Sequence, residues 1–216
     1  MLSPPHHHAS EAVLLSYAAG ALPAGLALVV ASHLALCRSC TQRVEEAEAV
    51  GGCLLDDAEE AALAPEALEQ TWSRSADPDP PPLEMPSGFA DLPGPLRRVL
   101  AALPDARWRM MAPGVRRINV MPGIRGGGSV NLLRIKPGVR LPHHGHSGVE
   151  LTLLVHGAFT DESGHFQAGD LAEAEDDVAH QPVTEGANDC ICLVATTAPL
   201  RFTSPVFRMM QPLFGL

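Results

Sequence analysis

The spacing of apolar residues changes character along this chain. Val13, Leu14 and Tyr17 fall on one side of a helical repeat, with Ser10 ahead of them as an N-cap and Glu11 in the first turn. That helix should stop near Gly20. A second is predicted after Pro23, running through Leu26, Leu28, Val29, Val30 and Leu34. Residues 41–50 read as a third helix that ends at Gly51-Gly52, with Cys53 just beyond as a buried or idle thiol. Pro65 opens a fourth over 66–73, where Leu68 and Trp72 are four apart, and packing within the chain is expected for Trp72. Residues 18–36 contain no Lys, Arg, Asp or Glu, a length that would permit a membrane span. Gly20, Pro23, Gly25, Ser32 and His33 interrupt it, so no transmembrane segment is expected.

The pattern then breaks. Residues 75–95 hold seven prolines, a density that excludes regular helix or central strand. This stretch reads as a semi-rigid spacer and marks the domain boundary. A short helix is predicted over 96–103. Short strands follow over 115–120, 129–136, 149–155, 170–174, 190–196 and 199–203, punctuated by Gly126-Gly127-Gly128, Pro137-Gly138 and Ser163-Gly164. Many short strands with turn signals indicate a sandwich or barrel.

Two groups of residues carry chemistry. In the stretch 138–157, GVRLPHHGHSGVELTLLVHG, His144 and His146 are two apart and project together from a strand, and Glu150 opens the next apolar run. Two imidazoles and a carboxylate on adjacent strands can converge on one cation such as Zn, Mn, Fe or Ni. His180, after the Gly169-Asp170 turn and an acidic run, is the candidate fourth ligand. The other group is His33-x3-Cys37-x2-Cys40 at the end of the second predicted helix, where His33 and Cys37 would share one helical face. A tetrahedral zinc site wants a fourth donor. The His6-His7-His8 cluster is the nearest source, and His8, beside the Ser10 cap, is the choice.

Composition narrows the function. Hydrophobic residues are 46% of the chain and aromatics 4%, so the core is aliphatic. The net charge of −10 argues against direct nucleic-acid binding, which needs Lys and Arg for phosphates. Residues 1–100 carry 5 Lys and Arg against 14 Asp and Glu, which suits a basic partner or a solvated helical surface. Five cysteines with close pairings do not resemble a secreted disulfide framework. No secretory signal opens the sequence, so a cytoplasmic protein is expected. Cys190 and Cys192 would face one way on a strand, as two buried thiols or as a sensor of oxidants.

The 138–157 stretch resembles the first cupin motif, and 169–180 a degenerate second one without the usual proline-x-glycine turn. The upstream histidine with H-x3-C-x2-C resembles the zinc-containing anti-sigma domain over roughly 5–75. Together, and with the segments GVELTLLVHGAF and NDCICLVAT, the chain resembles the ChrR-type zinc anti-sigma factors along nearly its whole length. The resemblance implies an α+β two-domain protein. An N-terminal all-α zinc-binding helical bundle would span 1–75, a Pro-rich linker 76–95, and a C-terminal all-β cupin barrel 96–216. It further implies that the first domain wraps an extracytoplasmic-function sigma factor and blocks polymerase binding without touching DNA. The cupin domain would be needed for the response to singlet oxygen or related oxidants. Residue by residue, it carries structural zinc to His8, His33, Cys37 and Cys40. It carries a second metal, zinc or else Mn, Fe or Ni, to His144, His146, Glu150 and His180. A rival expectation is a metal-dependent cupin dioxygenase or isomerase with a regulatory helical arm, because a three-His, one-Glu site also resembles those enzymes. A plain metal-binding module is a third.

Overall fold

A computed structural model describes residues 4–75, 88–121, 128–176 and 178–202. Most of the expected spacer, 76–87, lies outside the described residues, as do Gly126 and Gly127. Among the described residues five helices come first: α1 (Glu11–Ala18), α2 (Ala24–Leu34), α3 (Arg38–Asp56), α4 (Ala67–Ser75) and α5 (Gly94–Ala102). Ser10 caps α1, its hydroxyl accepting the Val13 N–H at 3.3 Å. α2 stops at Leu34, earlier than a continuous helix through Cys37 would. The N–H groups of Leu36 and Cys37 both fold back on the His33 carbonyl at 2.8 Å. Cys37 is then extended (φ −120°, ψ 102°) and caps α3, its sulfur accepting the Cys40 N–H at 3.5 Å. His33 and Cys37 therefore meet across a helix–helix junction, not along one helical face.

Two further expectations are corrected. α3 runs straight through Gly51-Gly52, because glycine weakens a helix by about 1 kcal/mol but keeps its N–H, and the ladder continues to Asp57 N–H on Cys53 O at 3.2 Å. Cys53 is exposed. Trp72 is 63% exposed, with Leu68 at 66%. The buried faces of α1, α2 and α3 are closed against one another and against strands, so α4 buries nothing.

Twelve strands follow among the described residues: β1 (Arg109–Ala112), β2 (Val115–Met121), β3 (Val130–Ile135), β4 (His144–Gly145), β5 (Glu150–His156), β6 (Ala158–Asp161), β7 (Gly164–Gln167), β8 (Leu171–Ala174), β9 (Ala179–His180), β10 (Val183–Glu185), β11 (Cys190–Thr196) and β12 (Arg201–Phe202). They form a six-stranded antiparallel sheet in the order β1-β2-β3-β11-β5-β8 and two three-stranded sheets, β10-β6-β7 and β12-β4-β9. The sheets do not close into the expected single barrel. β4, β9 and β12 are two residues long, and Pro142 and Pro182 beside β4 and β9 have no N–H to extend a ladder.

The large sheet is covered on both faces, which is why β5 is apolar on both sides, broken within by Thr152 alone. Leu151, Leu153 and Val155 share one face with Leu132, Leu193 and Ala195, and this face packs under α2 and α5. Gly25 of α2 comes so close that a β-carbon there would sit 2.7 Å from Val130 Cγ2. The opposite face carries Leu133, Leu154, Cys190 and Cys192 against Phe159 and Phe166 of the β6–β7 hairpin. Gly157, the last residue of the 138–157 stretch, turns β5 into β6 with φ 73°. A β-carbon there would meet Cys190 Cα at 2.8 Å.

Candidate metal centres

Among the described residues, four ligand atoms of His8, His33, Cys37 and Cys40 lie within 4.8 Å of one another. The junction between α2 and α3 supplies three of them, and the segment before α1 brings in His8. His8 Nδ1 is 3.3 Å from Cys37 Sγ and 3.5 Å from Cys40 Sγ, and His33 Nε2 is 3.3 Å from Cys40 Sγ. His33 Nδ1 lies 3.0 Å from the Gly169 carbonyl, which can only accept. That bond fixes the tautomer and leaves Nε2 as a lone pair facing the thiols. Burial pulls the His33 imidazole down to about 4, against the Gly169 bond and with the His8 ring adding to it. Burial, with Cys37 alongside, pushes the Cys40 thiol up to about 11. A cation among these atoms would reverse the second effect, since a coordinating thiol gives up its proton.

The second group forms on the face of β5 opposite the helices. Ligand atoms of His144 on β4, His146 in the loop after it, Glu150 at the start of β5 and His180 on β9 again lie within 4.8 Å of one another, and all four residues are buried. The rings form a triangle with centroid separations of 5.2 Å (His144–His146), 4.6 Å (His144–His180) and 5.2 Å (His146–His180). β4 and β9 pair directly, His144 opposite His180, which places their Nε2 atoms 3.1 Å apart. Each of these rings is turned by its other nitrogen: His144 Nδ1 donates to the Pro142 carbonyl at 2.8 Å, and His180 Nδ1 to Asp161 at 2.7 Å. Neither ring nitrogen of buried His146 has a hydrogen-bond partner, and its Nδ1 is 3.6 Å from Glu150 Oε2, beyond hydrogen-bond reach. An orphaned buried imidazole facing a carboxylate and two aimed imidazoles fits a bound cation.

The charges agree with that fit. Burial pulls His144 and His146 down to about 4, so both are neutral donors at pH 7. Burial pushes Glu150 up to about 7, against the pull of His180 and the Thr152 hydroxyl. Burial alone would lower His180, but the Asp161 bond and the Glu150 charge outweigh it and its pKa rises. His144, Glu150 and His180 line a cavity of about 310 Å³ whose walls are mostly apolar, among them Leu133, Ile135, Leu141, Phe159 and Phe166. Cys192 also lines it, hydrogen-bonded to Cys190; that bond and burial push its thiol well above the ordinary range.

All eight residues singled out in the sequence are thus brought together in two groups. His143 is half-buried, and His165 is exposed beside Glu185 at 3.3 Å; neither belongs to a group. Sequence reasoning missed the roles of Asp161 and of the Pro142 carbonyl, and it marked Gly169-Asp170 as a turn without seeing that the turn supports His33. Asp161 ends a strand too short to show alternation, and backbone carbonyls carry no residue signature.

Residues 96–199 match the family described as the ChrR Cupin-like domain. The anti-sigma-E factor ChrR of Cereibacter sphaeroides is 41% identical over 97% of this chain and 98% of its own length. The crystal structure of Rhodobacter sphaeroides SigE in complex with the anti-sigma ChrR matches with a TM-score of 0.74 at 39% identity, covering 89% of this chain and 99% of that one. An RmlC-like cupin protein from Ralstonia eutropha is 21% identical, covering 46% of this chain and 68% of its own, with a TM-score of 0.42.

Proposed function

The chain belongs to the family of the ChrR anti-sigma factors, and from that premise we propose that it sequesters an extracytoplasmic-function sigma factor and releases it on oxidative stress. The observation that carries this reading is the extent of the similarity, 97% of this chain and 98% of the relative. The protein is a regulator and not an enzyme. Its division of labour follows the sequence: 1–75 captures sigma, 76–95 links, and 96–216 senses. His8, Cys37, Cys40 and His33 hold a structural zinc, a two-sulfur, two-nitrogen set that suits tetrahedral geometry. His144, His146, Glu150 and His180 hold a second ion, zinc by preference, with Mn, Fe or Ni the other metals this donor set accepts. No helix among the described residues is long and apolar enough to cross a membrane; its action is proposed in the cytoplasm, where a sigma factor works on polymerase.

Capture uses apolar surface that the chain leaves uncovered. Leu54 and Leu55 on α3, Leu63, and Leu68 and Trp72 on α4 are each more than 60% exposed. A run of large apolar side chains in water is the signature of a docking surface. Sensing falls to the second ion's imidazoles, which face the apolar cavity where a small neutral oxidant can enter. Cys192 is a poor sensor by comparison, because a thiol held protonated is a weak nucleophile.

Coexpression with the cognate sigma factor should yield a stable one-to-one complex. Cys37→Ser or Cys40→Ser should abolish it. Trp72→Ala should weaken it about tenfold, as for a buried aromatic anchor. His144→Ala or Glu150→Ala should leave capture intact and blunt release by singlet oxygen. Loss of capture in these cupin variants would overturn the division of labour, and metal-dependent oxygen consumption by the purified chain would overturn the regulatory reading.

A further inference from the structure

We propose that Asp170, with the carbonyl of Gly169, positions both histidines of the N-terminal metal group, so that the β half of the molecule sets how firmly that group keeps its ion. The inference rests on the reading that these four residues hold zinc. The observation behind it is a set of hydrogen bonds between residues more than 130 positions apart.

Asp170 is completely buried. Its Oδ1 accepts the N–H of His6 at 2.6 Å and of His7 at 3.0 Å. Its Oδ2 accepts the Gln167 N–H at 2.9 Å and lies 3.2 Å from His7 Nδ1. Burial alone would make this carboxyl hard to ionise, but the four donors hold it below its ordinary range. The next N–H, of Leu171, donates to the His7 carbonyl at 3.2 Å. Further along β8, Glu173 accepts both the N–H and the hydroxyl of Ser10, at 3.1 and 3.0 Å. His8 is therefore clamped on either side, by Asp170 at His6-His7 and by Glu173 at Ser10. Its ring is left aimed at the two sulfurs.

His33 is held by the neighbouring residue of the same turn, through the Gly169 carbonyl. Gly169 has φ 99°, and a β-carbon there would press on Pro5 at 3.2 Å, so the turn also seats the start of the described chain. The turn is tied to β5 in its own right: Gly169 N–H donates to Leu154 O at 2.8 Å, and Leu154 N–H to Asp170 O at 3.0 Å. The two sulfurs come from the α2–α3 junction alone. The two imidazoles are oriented by the β half. The strand that begins at this turn ends at Ala174, whose partner across the ladder is Glu150 of the second group. One short strand thus carries the supports of one group at one end and pairs with a ligand of the other at its far end.

The test is zinc release from the full-length protein to a chromogenic chelator, with metal content measured before and after. Asp170→Asn keeps the shape but puts an amide where donors already converge. It should speed loss of the N-terminal zinc about tenfold or more, the usual effect of removing a group that orients a ligand. The second ion should leave at its original rate. Cobalt in place of zinc should show a weakened thiolate charge-transfer band in the same variant. Should Asp170→Asn fold poorly, the exposed clamp offers a milder change: Glu173→Ala should speed release several-fold. Glu185→Ala, whose carboxylate lies 3.3 Å from exposed His165 and belongs to neither group, should change nothing. Zinc absent from the wild-type N-terminal group would sink the reading beneath this inference. Zinc present, but released within about twofold of wild type in both variants, would overturn the positioning role, as would equal acceleration at both groups.

Discussion

Glu150 is a carboxyl whose environment suits it only when a cation is near. In the cation-free protein its pKa of about 7 stands above the ordinary 4.5. Its contribution to stability is therefore present below about 4.5 and lost as pH rises through 7. His144 and His146 run the other way, their contributions present above 6.5 and lost as pH falls towards 4. Between pH 6 and 8 folded His144 and His146 stay neutral, while Glu150 ionises and His180, held up by Asp161, gives up its proton, so both of these draw stability down as pH rises. The rise in melting temperature on adding metal should be larger at pH 8 than at pH 6, and Glu150→Gln should flatten the pH dependence of the metal-free protein over that range. Scanning calorimetry with and without metal checks both. The residues that matter at this scale were legible wherever they recur at strand or turn spacing, as His144, His146 and Glu150 do. Asp161 and Asp170 were not legible. Each acts on a residue distant in sequence, and no local period records such a pairing.

At the scale of elements, periodicity found the helices but misjudged their ends. Cys37 looked helical from its spacing to His33, yet it caps the next helix, because a thiol that accepts the Cys40 N–H satisfies a donor the helix start leaves free. The β6–β7 hairpin went unseen between its glycines; Ala158–Asp161 and Gly164–Gln167 are too short and too mixed to show alternation. The single barrel failed for a reason visible only in pairing: prolines beside two-residue strands. The contact that matters most between layers is also invisible as a pattern. Gly25 lets α2 lie directly on Val130 and Ala195. Gly25→Val should pry the helix from the sheet and cost about 1–3 kcal/mol, which lowers the melting temperature by roughly 2–12 °C. A variant that melts with wild type would mean the helix and sheet are not in register contact.

For the whole molecule, charge is the property that sequence alone conveys. The first hundred residues carry 5 Lys and Arg against 14 Asp and Glu. A sigma factor must engage DNA phosphates through a basic surface. A basic sigma surface meeting this acid would steer the encounter of the two proteins, and its rate would then fall about tenfold or more between low and high salt. Stopped-flow association across an ionic-strength series measures this, and a flat rate would assign the acid to solvation alone. What sequence could not convey is that helices and strands share one apolar cluster, from Val13 and Val29 through Leu96 to Leu151 and Leu193. The chain changes pattern at the prolines, but its core does not stop there.

Gly51 and Gly52 stand side by side within α3. Nothing lies within 4 Å of where their β-carbons would be, so alanine would fit at both. The last turns, with Leu54 and Leu55, hang on the most pliant step of the helix. Alanine at either position would stiffen that step by about 1 kcal/mol per methyl and hold Leu54 and Leu55 in place more firmly, with no contact inside the chain altered.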